Sequence, residues 1–348
     1  GRRGLRVLVV EHANRVGKKI LMSGGGRCNF TNTGAGPGNY LSANPHFCKS
    51  ALARYTPADF IELVDRHGIA WHEKELGQLF CDDSSKQIVA MLLAECQAAG
   101  VEVRTSCAIE RVARGDGGGF HVHTSHGTST APALVVACGG LSIPSMGATG
   151  YGYELARQFG HDVLPTRAGL VPLTLSGKHQ ERLADLSGVV FPATASSNGA
   201  SFSNSVLITH RGVSGPAILQ VSSYWQPGDP LLLDLLPGRD ALDTLRTLRR
   251  ERPAAELRTL LGELLPRRFA QRLCEAWLAA LKPQRPIRQF NDPELRELAG
   301  LLQAHRDRAR VEVGVDVVHD ALVRRVRDVR VRATRDPRGD ECRSGGRL

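Results

Sequence analysis

The apolar residues fall into short, evenly punctuated runs. Residues 4–11, Gly-Leu-Arg-Val-Leu-Val-Val-Glu, read as a short strand that ends on the carboxylate of Glu11, and a glycine-rich stretch from Gly24 to Gly38 follows it. Thr56 and Pro57 open a helix that Gly68 closes: a capping hydroxyl, a first-turn proline and a terminating glycine stand where each is favoured. Ser84 or Ser85 starts another helix, with Ile88, Val89, Leu92, Leu93 and Cys96 predicted on one face and Gly100 as its stop. Val101, Val103 and Ile109 continue as strand, and the turn Gly115–Gly119 leads into Phe120 and Val122 with polar residues between them. Leu134–Ala137 reads as a buried strand running into Gly139-Gly140. Strand and helix alternating in this way predict an α/β domain over residues 1–168.

The texture changes near Gly169. Residues 169–240 are strand-like, with short apolar runs at Val206–Ile208 and Leu231–Leu236 among frequent Gly, Ser and Pro. Residues 241–303 turn helical: Pro266–Leu281 reads as one helix, and Asp292-Pro293-Glu294 as the capped start of another. The last segment, 304–348, alternates Val and Arg without a single aromatic residue and builds no convincing core.

Composition narrows the function classes. With 42% hydrophobic and 23% charged residues the chain is globular rather than disordered, and no apolar run approaches the ~18 residues of a membrane span. A cytoplasmic protein is expected. The net charge is +10, but 38 of the 45 basic residues are arginine, which reads as codon bias as much as binding. With 5% aromatics and scattered Arg, the composition argues against nucleic-acid binding. The eight cysteines include no C-x-x-C pair and fit a reducing compartment.

The chemistry concentrates near the start. An acid closing the second strand of a dinucleotide-binding βαβ unit accepts hydrogen bonds from a ribose, and Glu11 stands in such a place. The string Gly17-Lys18-Lys19-Ile20-Leu21-Met22-Ser23-Gly24-Gly25-Gly26-Arg27-Cys28-Asn29 combines three bare glycines with three cations, a pattern suited to phosphate. It is not a Walker loop, because His12 and Lys19 stand where that motif needs Gly and Ser/Thr.

This string resembles the signature of the BaiN/YhiN-like flavoproteins, FAD-binding oxidoreductases. The likeness continues through His67–Glu73, Gly77–Cys81, Ala137–Ser142, Leu164–Pro172 and Thr209–Ala217, and covers about residues 4–303. It implies a glutathione-reductase-like, Rossmann-type FAD domain with inserted β-barrel-like and helical domains. Carried over, Glu11 would bind the adenosine ribose. Lys18, Lys19 and the loop Ser23, Gly24, Gly25, Gly26, Arg27, Cys28 and Asn29 would line the pyrophosphate and flavin. Ile109 would meet the adenine through its backbone or else be plain core, and Ala137, Gly139 and Gly140 would form a second FAD-contacting strand end.

Two departures stand out. The G-x-G-x-x-G unit that would precede residue 4 is absent, as is the family's closing segment after about residue 303, so a truncated start and a frameshifted end are expected. No catalytic residue is assigned. Cys28 reads as a thiolate near the flavin or a structural thiol, and His210 as a proton donor or a hydrogen-bonded loop residue. His121, His123 and His126 lack the neighbours a metal site needs. The expected function is hydride transfer from NAD(P)H through FAD to a small organic substrate, such as an activated C=C bond. The alternatives are a non-catalytic remnant with weak or no FAD binding, and a basic nucleic-acid-binding module. Substrate identity and oligomeric state are left open.

Overall fold

In the computed structural model, which describes residues 1–303 apart from residue 176, the chain divides between Val163 and Leu164 into two units. The Arg-rich segment 304–348 lies outside the described residues. Unit one runs β1 (Leu8–Val10), α1 (Lys18–Met22), β2 (Asn29–Asn32), α2 (Lys49–Arg54), α3 (Pro57–Arg66), β3 (Trp71–Glu73), β4 (Gln78–Cys81), α4 (Lys86–Ala98), β5 (Glu102–Arg104), β6 (Ile109–Arg114), β7 (Phe120–Thr124), β8 (Gly127–Ala131) and α5 (Tyr151–Gln158). Its strands form a parallel pair, β1–β5, and two antiparallel sheets ordered β2-β4-β3 and β6-β7-β8.

The Thr56 cap closes reciprocally: Thr56 Oγ1 accepts the Asp59 N–H at 3.2 Å while the Thr56 N–H donates to the Asp59 carboxylate at 2.7 Å. This sets α3 so that Leu63 and Val64 join a small core with Cys28, Ile69, Cys81, Ile88 and Met91.

Three expectations are corrected here. Leu93 is 40% exposed, and Met91 is buried beside Ile88 instead. At 100° per residue Leu93 stands about 140° round from Ile88, outside the buried face. The run Val101–Ile109 is two strands in different sheets, parted by Ser106 in the left-handed region (φ 51°). Leu134–Ala137 forms no strand, and Val135 is 84% exposed. Apolar character does not make a strand without a ladder partner, and β1 pairs only with β5 among the described residues.

Unit two runs β9 (Leu173–Thr174), α6 (Gly177–Leu183), β10 (Val190–Ser197), β11 (Ala200–Thr209), β12 (Gly212–Ser214), α7 (Pro216–Val221), β13 (Leu232–Asp234), α8 (Ala241–Glu251), α9 (Leu257–Leu264), α10 (Arg267–Ala276) and α11 (Asp292–Gln303). Its five strands form one antiparallel sheet, β13-β10-β11-β12-β9. Along β10 the residues Phe191, Ala193, Ala195 and Ser197 turn inward in strict alternation. The sheet and the helices share one core, in which Phe191 stacks on Phe269 with ring centroids 4.5 Å apart.

The single helix predicted over Pro266–Leu281 stops at Ala276. Trp277 leaves helical geometry, and a separate 3-10 turn spans Ala279–Leu281. The cap of α11 is Asn291 rather than Asp292: its side chain accepts the Glu294 N–H, and its own N–H donates to the Glu294 carboxylate, both at 2.9 Å.

Asp292 instead accepts hydrogen bonds from Arg246 at 2.7 Å and Arg249 at 2.8 Å, which hold its carboxyl below the usual range. A carboxylate whose folded pKa is depressed stabilises fully above the unfolded value, about 3.9, and loses that contribution as pH falls through the folded pKa. Asp292→Asn is therefore expected to lower Tm at about pH 7, with the gap to the parent closing below about pH 4. Thermal melts along an acid series check this. A gap that persists in strong acid would assign the loss to packing.

Candidate functional site

The end of β1 positions the first candidate group. The Glu11 N–H donates to Arg104 O at 2.8 Å and its carbonyl accepts the Cys107 N–H at 3.0 Å, so Glu11 sits at the C-terminal edge of the parallel pair. One carboxylate oxygen accepts the Ala13 N–H at 2.8 Å, with His12 Nδ1 3.2 Å away. The other oxygen has no partner among the described residues, which leaves an acceptor of the kind a ribose diol requires. Ile109 begins β6 two residues past Cys107 and is half-buried.

The glycines divide by purpose. Gly17 is left-handed (φ 74°), and a Cβ there would lie 2.7 Å from the Val89 side chain, so its bareness lets α1 lie close against α4. A Cβ on Gly24 would meet the Phe80 ring at 2.7 Å and the Asn29 nitrogen at 2.8 Å. Gly25 and Gly26 differ: both are left-handed, and nothing lies within 4 Å of where a side chain would begin. They present bare main chain to open space, a cradle for a group that approaches closely.

Lys19, on α1, donates to Ser142 Oγ at 2.8 Å, and its Nζ stands 3.7 Å from the Cβ position of Gly139. Ala137 and Gly139 are exposed and Gly140 is half-buried against the start of α5: a Cβ on Gly140 would fall 2.7 Å from the Tyr153 hydroxyl. Thus Lys19, Gly139 and Ser142 meet at one corner.

Lys19, Ser23, Cys28 and Asn29 line a cavity of about 310 Å³ whose remaining walls are Ile20, Phe30, Phe60, Ile88 and Leu92. Its lining is predominantly apolar, and it is of the size of small-molecule sites. Ser23 Oγ donates to Ile20 O at 2.8 Å, while the Asn29 side-chain amide faces the carbonyls of Leu79 and Thr31. Cys28 is buried in the left-handed region (φ 55°). Burial, and secondarily Cys28, pushes the Cys81 thiol up to about 11, so Cys81 stays protonated and unreactive near neutral pH. Lys18, which opens α1, and Arg27, in the loop, do not line this cavity, and neither has a side-chain partner among the described residues.

The other histidines separate. His123 is committed, with Nε2 2.9 Å from Arg111 and Nδ1 2.8 Å from Thr128. His210 is exposed in the turn between β11 and β12 of unit two. Among the described residues no three His, Cys, Asp or Glu side chains gather as a metal site would require. Sequence reasoning missed Ser142 as the anchor of Lys19, and the apolar wall from α3 and α4. The helical periodicity of Ile88 and Leu92 signalled burial without showing that the buried face borders a cavity.

The donor set fits a dinucleotide: a one-sided carboxylate at a strand end, cations on a short helix and loop, and main chain open at Gly25 and Gly26. Residues 1–224 match the HI0933-like protein Rossmann domain, and residues 167–309 the HI0933-like protein barrel and H2TH domain. The chain belongs to the HI0933-like family. The HI0933-like fold is thus a Rossmann-type domain with a barrel and H2TH domain, as the resemblance to the BaiN/YhiN-like flavoproteins implied, and its broad class is flavoprotein oxidoreductase.

Among HI0933-like chain's relatives is a ribosomal RNA dihydrouridine synthase of Escherichia coli (strain K12), 52% identical over 274 residues, which are 78% of this chain and 68% of that protein. A protein of the same name from Haemophilus influenzae (strain ATCC 51907 / DSM 11121 / KW20 / Rd) is 46% identical over 279 residues, 79% of this chain and 68% of that protein. A 3-dehydro-bile acid delta(4,6)-reductase of Clostridium scindens (strain ATCC 35704 / DSM 5676 / VPI 13733 / 19) is 27% identical over 285 residues, 78% of this chain and 68% of that protein. No helix among the described residues is long and apolar enough to cross a membrane.

Proposed function

We propose that this HI0933-like chain is a FAD-dependent reductase that saturates the C5=C6 bond of a uracil base in ribosomal RNA, with NAD(P)H as the electron donor. Identity of 52% and 46% to two proteins named for that product carries the reading of the substrate. The small organic substrate expected from the sequence gives way to a base held in a polymer, while the expected chemistry, reduction of an activated C=C bond, is kept.

When bound, FAD supplies the two-electron hydride chemistry. The chain's own residues do the rest. Glu11 would accept from the ribose, Lys18, Lys19 and Arg27 would offset pyrophosphate charge, and the open main chain of Gly25 and Gly26 would allow close approach. Phe30, Phe60, Ile88 and Leu92 supply the apolar walls of the cavity.

The test is to purify the chain with FAD, record its visible spectrum, and incubate it with NADPH or NADH and unmodified ribosomal RNA. Dihydrouridine in the digested RNA, measured by mass spectrometry and dependent on the reduced nucleotide, is the expected result. Reduced flavin that is reoxidised by a small enone but leaves the RNA unchanged would return the reading to a small-molecule reductase. A protein that takes up no FAD would support the non-catalytic remnant.

A further inference from the structure

The helical part of unit two carries a second organised feature, remote in sequence from the flavin loop. The last turn of α8 carries Arg249 and Arg250, and residues 252–256 turn the chain into α9. The segment 282–290 lies directly against that turn. The Arg288 N–H donates to Pro253 O at 3.1 Å, Ile287 to Ala255 O at 2.8 Å, Leu257 to Arg285 O at 3.4 Å and Arg258 to Pro283 O at 3.0 Å. Glu256 and Pro286 add an isolated bridge. Pro253, Pro283 and Pro286 restrict the backbone further, and the fully buried Ile287 and Phe290 root the second segment in the core.

The side chains on these two segments are predominantly cationic. Arg249 is committed to Asp292 and the Phe290 carbonyl, and Arg285 to Glu294 with its guanidinium 3.9 Å from the Phe290 ring. Arg252–Glu263 and Arg258–Glu256 are exposed pairs, of the kind that hold weakly and exchange partners readily. Arg250, Lys282 and Arg288 are exposed and have no side-chain partner among the described residues. Glu251 is the other acid on the two segments.

We infer that this corner is a docking surface for the phosphate backbone of RNA. Three free cations and two exchangeable ones, carried on the last turn of α8, the first turn of α9 and the two segments that the main chain locks together, are preorganised donors for phosphate. The alternatives fit less well, because none of the exposed large hydrophobic residues lies in residues 239–303. A membrane surface would need apolar side chains to insert, and a protein partner an apolar centre to bury. With no exposed aromatic there to stack on bases, contact is to phosphate and independent of sequence. The choice of RNA over another polyanion rests on the proposed substrate; the surface itself does not.

The test is fluorescence anisotropy of a labelled RNA hairpin against the full chain over a salt series, for the parent and for Arg250→Ala, Lys282→Ala and Arg288→Ala combined. Removing three phosphate contacts should weaken binding at low salt by roughly 10–30-fold and reduce the slope of log K against log salt by about two. The combined Arg250→Lys and Arg288→Lys variant should keep most of both. Tm should hold, since none of the three side chains packs in the core.

Unchanged affinity and slope would overturn the inference, as would a parent that does not bind RNA. A loss confined to anionic vesicles, with RNA binding intact, would do the same. Binding needs no turnover, so the dihydrouridine assay run alongside keeps the two readings apart. Loss of RNA binding in the variant with no dihydrouridine from either protein refutes the proposed activity alone. Equal binding by parent and variant, with dihydrouridine made by both, refutes the docking surface alone.

Discussion

Gly212→Ala is expected to unfold unit two under conditions where the parent chain is folded. Gly212 opens β12 at φ 157°, and a Cβ there would fall 2.2 Å from Leu173 O, 2.8 Å from Leu175 N and 2.9 Å from Thr174 Cα. All three are backbone atoms, so no rotamer change relieves the clash and β9 must leave β12. Because β9 is two residues long, its separation withdraws the buried Leu173 and Leu175 from the core as well. Two exposed leucines at about 1.5–3 kcal/mol each place the loss near 3–6 kcal/mol, a large part of a typical domain's roughly 5–15. At about 2–4 °C per kcal/mol this is a fall in Tm of roughly 10–20 °C by circular dichroism. Gly199→Ala is the control. It is also left-handed but has nothing within 4 Å of a new Cβ, and should cost only about 1–2 kcal/mol of backbone strain. Equal melts for the two variants would refute this account of β12.

The second large effect concerns the flavin. Gly24→Ala should abolish flavin retention, whereas Gly25→Ala should leave the fold of unit one intact. At Gly24 the new Cβ meets the Phe80 ring and the Asn29 nitrogen, so the loop must shift and carry Ser23, Cys28 and Asn29 away from the cavity they line. At Gly25 the Cβ enters empty space, and its cost is left-handed strain of about 1–2 kcal/mol plus whatever it denies to a bound group. Flavin content from visible absorbance, followed by FAD titration of the stripped proteins, separates the two. Retention by Gly24→Ala equal to the parent would show that the loop does not shape the flavin site.

Much of this architecture was legible because it is written in local rules. Thr56-Pro57 and Gly68 bound α3, and the glycine turn after residue 114 joins β6 to β7, because capping and turn chemistry act over four or five residues. What escaped depends on distant partners. Leu134–Ala137 has the composition of a buried strand and no ladder to join. Asp292 looked like a cap but is drawn aside by two arginines more than forty residues earlier, leaving the role to Asn291. Within the candidate site, the glycines and cations were legible as a type of chemistry. That Lys19 closes on Ser142, 123 residues away, was not, since no periodicity relates α1 to that segment.

Glu294 holds two arrangements together at once: it completes the cap of α11 through Asn291 and neutralises Arg285, whose buried Nε has no hydrogen-bond partner. This couples the two positions. Glutamine at 294 keeps the cap but strands a half-buried guanidinium, and aspartate keeps the charge but falls a methylene short. Replacement of Arg285 by an uncharged residue strands the equally half-buried Glu294 carboxylate in turn and gives up the contact with Phe290. Neither residue can therefore lose its charge alone without leaving the other uncompensated.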